Sequence, residues 1–191
     1  MTRIAKRQYS DMQTLRGRLN RKAQDEAIAK VTGYLRVIHN RSRPPAYSLI
    51  LEHGMACYTN RHSFDGPLGE RGMCYMNSFH AVIEDPSLTY MEGFCSTMGI
   101  PIQHAWCLNR KGKVIETTLP NAEGYFGIPF QWDYVRRTAI RTRLYGIISF
   151  TNDELFSTPP EQFVAKVKNG GSKHAKLSTN SWLRLRRRGE R

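Results

Sequence analysis

Acidic residues are scarce in this chain: 16 Asp and Glu stand against 29 Lys and Arg over 191 residues, for a formal charge of +13. A surplus of this size argues for a polyanionic neighbour such as nucleic acid, an acidic protein or an anionic surface, without choosing among them. Long apolar runs are missing too. No stretch approaches the ~18 residues of a spanning helix, and nothing near the N-terminus has the apolar core of a signal peptide. A soluble, cytoplasmic protein without membrane insertion is therefore expected, and carriage inside a virion would leave no mark. The cysteines, Cys57, Cys74, Cys95 and Cys107, form no Cys-x-x-Cys pair. That spacing speaks against a zinc ribbon or a thioredoxin-like motif and for reduced thiols. Zinc held by Cys74 and His104 with Cys57 or Cys95 is allowed by residue type alone but lacks paired ligand spacing. No cofactor is expected, and there is no internal repeat.

What is present suits one domain with a core and terminal extensions: the hydrophobic share is 40%. Residues 1–43 read as a basic helical extension, 44–169 as the main domain and 170–191 as a basic flexible tail. In the first, Met12, Leu15, Leu19, Ala23, Val31, Leu35 and Ile38 make a helical stripe among Arg3, Lys6, Arg7, Arg16, Arg18, Arg21 and Lys22, as one long helix or as two shorter ones broken near Gly33 or around Asn20. Tyr47 to Leu51 has the composition of a strand. A turn-rich stretch through Asn60, Gly66, Pro67, Gly69 and Gly72 follows. Thr89 to Thr97 reads as a strand in which Gly93 marks a bulge or a close backbone approach. After Glu116 comes a longer loop with Asn121, Tyr125, Gly127, Pro129 and Phe130, whose aromatic character could wall a pocket or simply cap the sheet. Gln131 to Ile140 reads as a helix and Leu144 to Phe150 as a buried strand. Asn152 and the Thr158-Pro159-Pro160-Glu161 box each offer a helix start, and the helix should reach Lys168. In the tail, Trp182 lies among Arg184, Arg186, Arg187 and Arg188, a pattern suited to phosphate-backbone contact with incidental stacking.

The chemistry concentrates between Gly72 and Thr118. Tyr75, Phe79, Val82 and Ile83 recur at helical spacing and stop at Asp85-Pro86, which puts Cys74 at a helix N-terminus. There the backbone N–H groups and the helix dipole favour a thiolate. His104 opens a strand, and Asn109-Arg110-Lys111-Gly112 turns into a second strand carrying Glu116. With a loop of Arg110, Lys111 and Gly112, Asn109 faces Lys113 and Trp106 faces Glu116, so His104 and Glu116 share a face. A two-residue loop would send Glu116 to the other face. Thiol, imidazole and carboxylate so arranged are the parts of an activated cysteine nucleophile. Glu92 is the rival carboxylate. The Cys74 N–H is a candidate oxyanion donor, with Gln103 or Asn77 as a second. Trp106 is a core or site-wall residue, and Cys107, of opposite parity to His104, belongs to packing. The plainer alternative is that Cys74 and His104 are packed structural residues.

The Cys74 helix, the His104-Ala105-Trp106 strand and the acid before Thr117-Thr118 resemble the catalytic core of the transglutaminase-like branch of the papain-like superfamily. The Cys-Tyr, Glu-Gly and His-Ala-Trp segments also resemble small phage and bacterial proteins. The first resemblance implies an α+β fold, with an antiparallel sheet of about four or five strands packed on the nucleophile helix and with N- and C-terminal helices. It implies Cys74 as nucleophile, His104 as base and Glu116 where that family has Asp. Acyl transfer or amide hydrolysis on a protein or amide substrate would follow. The alternative is a basic nucleic-acid-binding or virion-associated protein that keeps the fold without turnover. If so, polyanion binding should fall steeply with salt. It should be lost on deleting residues 170–191 and neutralising the N-terminal arginines, as a filter-binding titration would read out.

Overall fold

The computed structural model describes residues 3–59, 68–119, 121–148 and 153–167, with side chains described from Arg21 onward except that of Asp153. The expectations for Asn60, Gly66 and Pro67, for the side chains of Arg3, Lys6, Arg7, Arg16 and Arg18, and for the tail with Trp182, Arg184, Arg186, Arg187 and Arg188 lie outside the described residues.

Of the two alternatives the single helix is found: α1 (Arg3–Ser42) runs through Asn20 and Gly33 without a break. One glycine costs a helix only ~1 kcal/mol relative to alanine, and tertiary packing outweighs that. Around Gly33, Val31 and Leu35 are wholly buried in the core of the sheet, so this half of α1 is built into the domain that follows it. Arg43, at φ 44°, ends the helix, and Pro45 occupies the first turn of α2 (Pro45–His53). The strand expected at Tyr47 to Leu51 is thus a helix. A short apolar run carries no decisive period, whereas proline at a helix start presets φ and gives up an N–H that would be unpaired anyway. Ile50 is buried, and Tyr47 packs on Tyr34 and Phe94.

The strands are β1 (Met55–Cys57), β2 (Thr89–Thr97), β3 (Ile100–Leu108), β4 (Val114–Ile115) and β5 (Gly124–Phe130). Helix α3 (Cys74–Glu84) precedes β2, and α4 (Trp132–Thr142), α5 (Asp153–Ser157) and a 3-10 turn (Pro160–Gln162) follow β5. All the strands join one antiparallel sheet of order β1-β5-β2-β3-β4, so the protein is mixed α and β with a five-stranded sheet and several helices. Tyr58, just past β1, bridges to Lys113, just before β4, and its carbonyl accepts the Val114 N–H at 3.3 Å. The two ends of the sheet therefore meet, and it curls around an interior of Cys57, Met91, Cys95, Trp106, Leu108, Val114, Ala122 and Tyr125. Residues of the other parity, Phe94, Ala105, Cys107, Phe126 and Ile128, face a helical layer that supplies Ile28, Val31, Leu35, Ile50, Phe79 and Val82. Gln24 ties that layer to the end of β1: its amide donates to the Thr59 carbonyl at 3.1 Å and accepts the Thr59 N–H at 2.8 Å.

Three further expectations are corrected. The segment from Tyr125 to Phe130 is the interior strand β5. Its glycine and proline give it the composition of a loop, yet each has a place in the sheet. An added Cβ at Gly127 would meet the Trp106 ring at 2.7 Å, and the Pro129 carbonyl turns away from β2 to accept the Ala165 N–H, so its missing N–H is not needed by the ladder. Residues 144–148 form no strand. Ile147 and Ile148 are buried instead through N–H bonds to the Glu92 carboxylate at 2.6 and 2.8 Å. The helix expected from Thr158 to Lys168 is a single 3-10 turn. Beyond it Phe163 and Val164 run along the end of β5, with the Gln131 N–H donating to the Phe163 carbonyl at 2.7 Å. Among the described residues no helix is long and apolar enough to cross a membrane.

Gly93 sits in an unbroken ladder between His104 and Gly127, so it marks a close approach and not a bulge. An added Cβ would lie 2.3 Å from the Phe126 carbonyl oxygen and 2.4 Å from Gly127 Cα. Backbone cannot yield as a side chain can. Gly93→Ala should therefore destabilise the fold by at least ~2 kcal/mol, read as a lower urea midpoint at unchanged slope.

Candidate active site

Helix α3 begins at Cys74 with no side chain capping its first turn, and Gly72, at φ 84°, delivers the chain into it. Cys74 is 9% exposed and faces the sheet with Ser78, Phe79 and Val82. Ser78 and Asn77 fasten this helix to the residues after β4. The Ser78 and Thr117 hydroxyls are 3.0 Å apart, and the Asn77 amide donates to Thr118 Oγ1 at 2.9 Å and to the Glu70 carbonyl at 2.8 Å. The Gly69 N–H adds a bond to the Thr117 carbonyl at 2.8 Å. The start of α3, the strap at residues 68–70 and the Thr117-Thr118 pair thus form one hydrogen-bonded unit.

Glu116 leads directly into that unit. The β3–β4 connection is the three-residue loop: Cys107 pairs with Ile115 and Leu108 with Val114, the Asn109 N–H donates to the Lys113 carbonyl at 2.9 Å, and Gly112 has φ 69°. The Asn109 side chain accepts the Lys111 and Lys113 N–H groups at 2.9 and 3.0 Å, which explains why an Asn stands at the turn. Continued by one pair, this register sets Glu116 opposite Trp106 and diagonal to His104. His104 Nε2 lies 3.0 and 3.1 Å from the two Glu116 oxygens.

The carboxylate has further donors. The Thr118 and Leu119 N–H groups reach Oε1 at 2.8 and 2.9 Å, and the Tyr125 hydroxyl donates to Oε2 at 2.6 Å. Burial alone would push this carboxyl up, but bonds from His104, Tyr125 and the backbone outweigh it and hold it below the usual range. The same contest decides His104. Its burial, at 1% exposure, favours the neutral ring, yet hydrogen bonds and charge from Cys74 and Glu116 together raise it to about 9. Because Nε2 faces the carboxylate, the nitrogen left for the Cys74 sulfur is Nδ1. Trp106 stacks near the imidazole, with centroids 6.2 Å apart and planes 15° from parallel, and Tyr125 packs against Trp106 at 5.1 Å.

Cys74, His104, Glu116 and Trp106 are brought together. Glu92 is not with them. It pairs with Ala105 on the other face of the sheet, where it accepts the Tyr90 hydroxyl at 2.9 Å and the N–H groups of Ile147 and Ile148. Its work is to fix the segment after α4. Gln103 is exposed and points to the face opposite His104, and the Asn77 amide is committed to Glu70 and Thr118. Cys107 is buried in the helical layer and donates its S–H to the Ser78 carbonyl at 3.4 Å. Cys57, Cys95 and Cys107 are each pushed up to about 12, chiefly by burial. Tyr125 is the site residue the sequence did not announce. Only the recognition of β5 as a strand, whose register pairs Tyr125 with Cys95, could have found it. Among the described residues no cluster of His, Cys, Asp or Glu suits a metal ion.

Compared with known proteins, the chain matches no family model, no curated protein and no solved structure.

Burial raises Glu92 to about 7 against three opposing hydrogen bonds, from an ordinary value of 4.5. The folded protein therefore keeps a proton that the unfolded chain releases, so the stability that Glu92 contributes should fall between pH 4.5 and 7. Urea melts across this range should show that fall in the wild type and a flatter profile in Glu92→Gln.

Proposed function

We propose that the protein is a cysteine-dependent acyl-transfer enzyme with a transglutaminase-like or papain-like catalytic core. The observation that carries this reading is a single buried imidazole whose Nε2 lies 3.0 Å from a charged, multiply hydrogen-bonded carboxylate, on a strand packed against the helix that begins at Cys74. Such a ring holds a proton at neutral pH, ready to be passed to a leaving group.

The Cys74 thiolate attacks the carbonyl carbon of an amide or thioester. The C–S bond forms, and the carbonyl π pair moves to oxygen, where the Cys74 N–H at the start of α3 meets the developing charge. As the oxyanion collapses the bond to the leaving amine or thiol breaks, and the proton on His104 goes to that leaving group. The acyl group is now a thioester on Cys74. A water or an amine then attacks it, His104 taking the incoming proton, and the thiolate is released. Water makes the enzyme a peptidase or amidase; an amine makes it a transferase. Glu116 keeps Nε2 protonated and the ring in one orientation, and Tyr125 and the Thr118 and Leu119 amides keep Glu116 charged. Protein or amide compounds are the substrate class this chemistry takes.

The test is the pH profile of alkylation by iodoacetamide, mapped by peptide mass. Cys74 should react ahead of the other cysteines, whose thiols burial pushes up to about 12. His104→Ala should slow labelling at pH 6 by at least about tenfold, Glu116→Gln by less, and Tyr125→Phe by less again. Labelling that follows an ordinary thiol titration and is unchanged by His104→Ala would sink the proposal.

A further inference from the structure

A cleft away from the cysteine site lies between α4 and the α5 segment. Tyr134, Arg137, Thr138 and Arg141, at intervals of three, four and seven residues from Tyr134, form one stripe of α4. Glu154, Thr158 and Gln162, each four apart, face them across a cavity of about 290 Å³. Two packed helical elements ordinarily meet through aliphatic side chains, yet every one of these seven carries a hydrogen-bonding group. The cavity is near the lower bound of ~300 Å³ for small-molecule sites and about ten times the ~30 Å³ share of one water.

The lining is matched to an anion. Its one carboxylate, Glu154, is paired with Arg141, so the ion pair is neutral and the Arg137 charge stands over. Arg137 makes one hydrogen bond among the described residues, from Nε to the Asp133 carbonyl at 3.3 Å, and its Nη groups remain to donate. Thr158 already gives its hydroxyl hydrogen to the Glu154 carbonyl at 2.7 Å. Within the stripe the Tyr134 hydroxyl is buried with no hydrogen-bond partner among the described residues, in a residue 5% exposed. A buried hydroxyl left unmatched costs ~1–3 kcal/mol, and a ligand oxygen would remove that cost. Two guanidiniums four residues apart, a phenol and an amide converge more donors than a carboxylate's two oxygens use, whereas a phosphoryl group presents three.

We propose that this cleft binds a small phosphomonoester, its phosphoryl group held by Arg137, Arg141 and Tyr134 and the remainder lying along Thr138, Thr158 and Gln162. The site is independent of the Cys74 chemistry. Calorimetric titration of the full chain with ribose 5-phosphate should give one-to-one binding, and acetate should give none. Arg137→Gln, which spares the Arg141–Glu154 pair, should weaken binding about tenfold, and Tyr134→Phe should weaken it several-fold. Arg137→Gln should keep the wild-type melting temperature, and Tyr134→Phe, which removes the unmatched hydroxyl, should melt at or above it. Absence of binding, equal binding of acetate, or affinity undiminished in a folded Arg137→Gln would each overturn the proposal. The last result would assign any binding to the other basic segments.

Discussion

The closeness of β2, β3 and β5 around Gly93 and Gly127 is the constraint on which the remaining architecture hangs. Two glycines pair across the ladder, with the Trp106 ring against the second and His104 opposite the first. Without side chains at these two positions the sheet coils tightly enough for Tyr58 to meet Lys113, and the indole fills what would otherwise be a void. A wholly buried tryptophan is a large apolar contribution, and it leaves a cost of its own, for its Nε1–H finds no partner among the described residues. Shape here takes precedence over polar satisfaction.

That curl explains how a helix on the outer layer and a histidine of inward parity come together. Helix α3 covers the outer face through Phe79 and Val82, while its first residue meets the edge where β4 ends and the chain leaves the sheet. Thr117 and Thr118 then bond to Ser78 and Asn77, so the segment carrying the carboxylate is also the one that docks the Cys74 helix. Glutamate suits this place. Its longer arm folds back so that Oε1 takes the two following amides, while both oxygens still reach His104. A carboxylate so supplied with donors serves as a fixed charge rather than as a proton carrier.

The two buried glutamates show how environment divides like residues. Glu92 and Glu116 are close in burial, but Glu92 has no cation beside it among the described residues and is driven up to about 7, while Glu116 has an imidazole and is driven down. The first acts as an anchor for backbone amides, the second as the orienting partner of a histidine. Sequence composition treats them alike; the parity of the strands separates them.

Local patterns in the sequence were enough for several elements. The stop at Asp85-Pro86, the apolar stripe behind Cys74 and the β-rich run from Thr89 to Thr97 set α3 and β2, because period and punctuation are local properties. The Asn-Arg-Lys-Gly turn likewise contained its own register, since Asn109 bonds the loop amides and Gly112 takes the left-handed conformation. Where partners are distant in the chain, local reading failed. Tyr47 to Leu51 became helical against Tyr34 and Phe94, and Gly127 and Pro129 became strand because Trp106 and Ala165 come from elsewhere to accept them. Tyr125 joined the site for the same reason. The sequence by itself determined which residue types could make an activated cysteine and how they are spaced along the chain. Only the tertiary structure decided which carboxylate stands beside His104 and what holds it there, because strand parity and side-chain hydrogen bonds exist only once the sheet has closed.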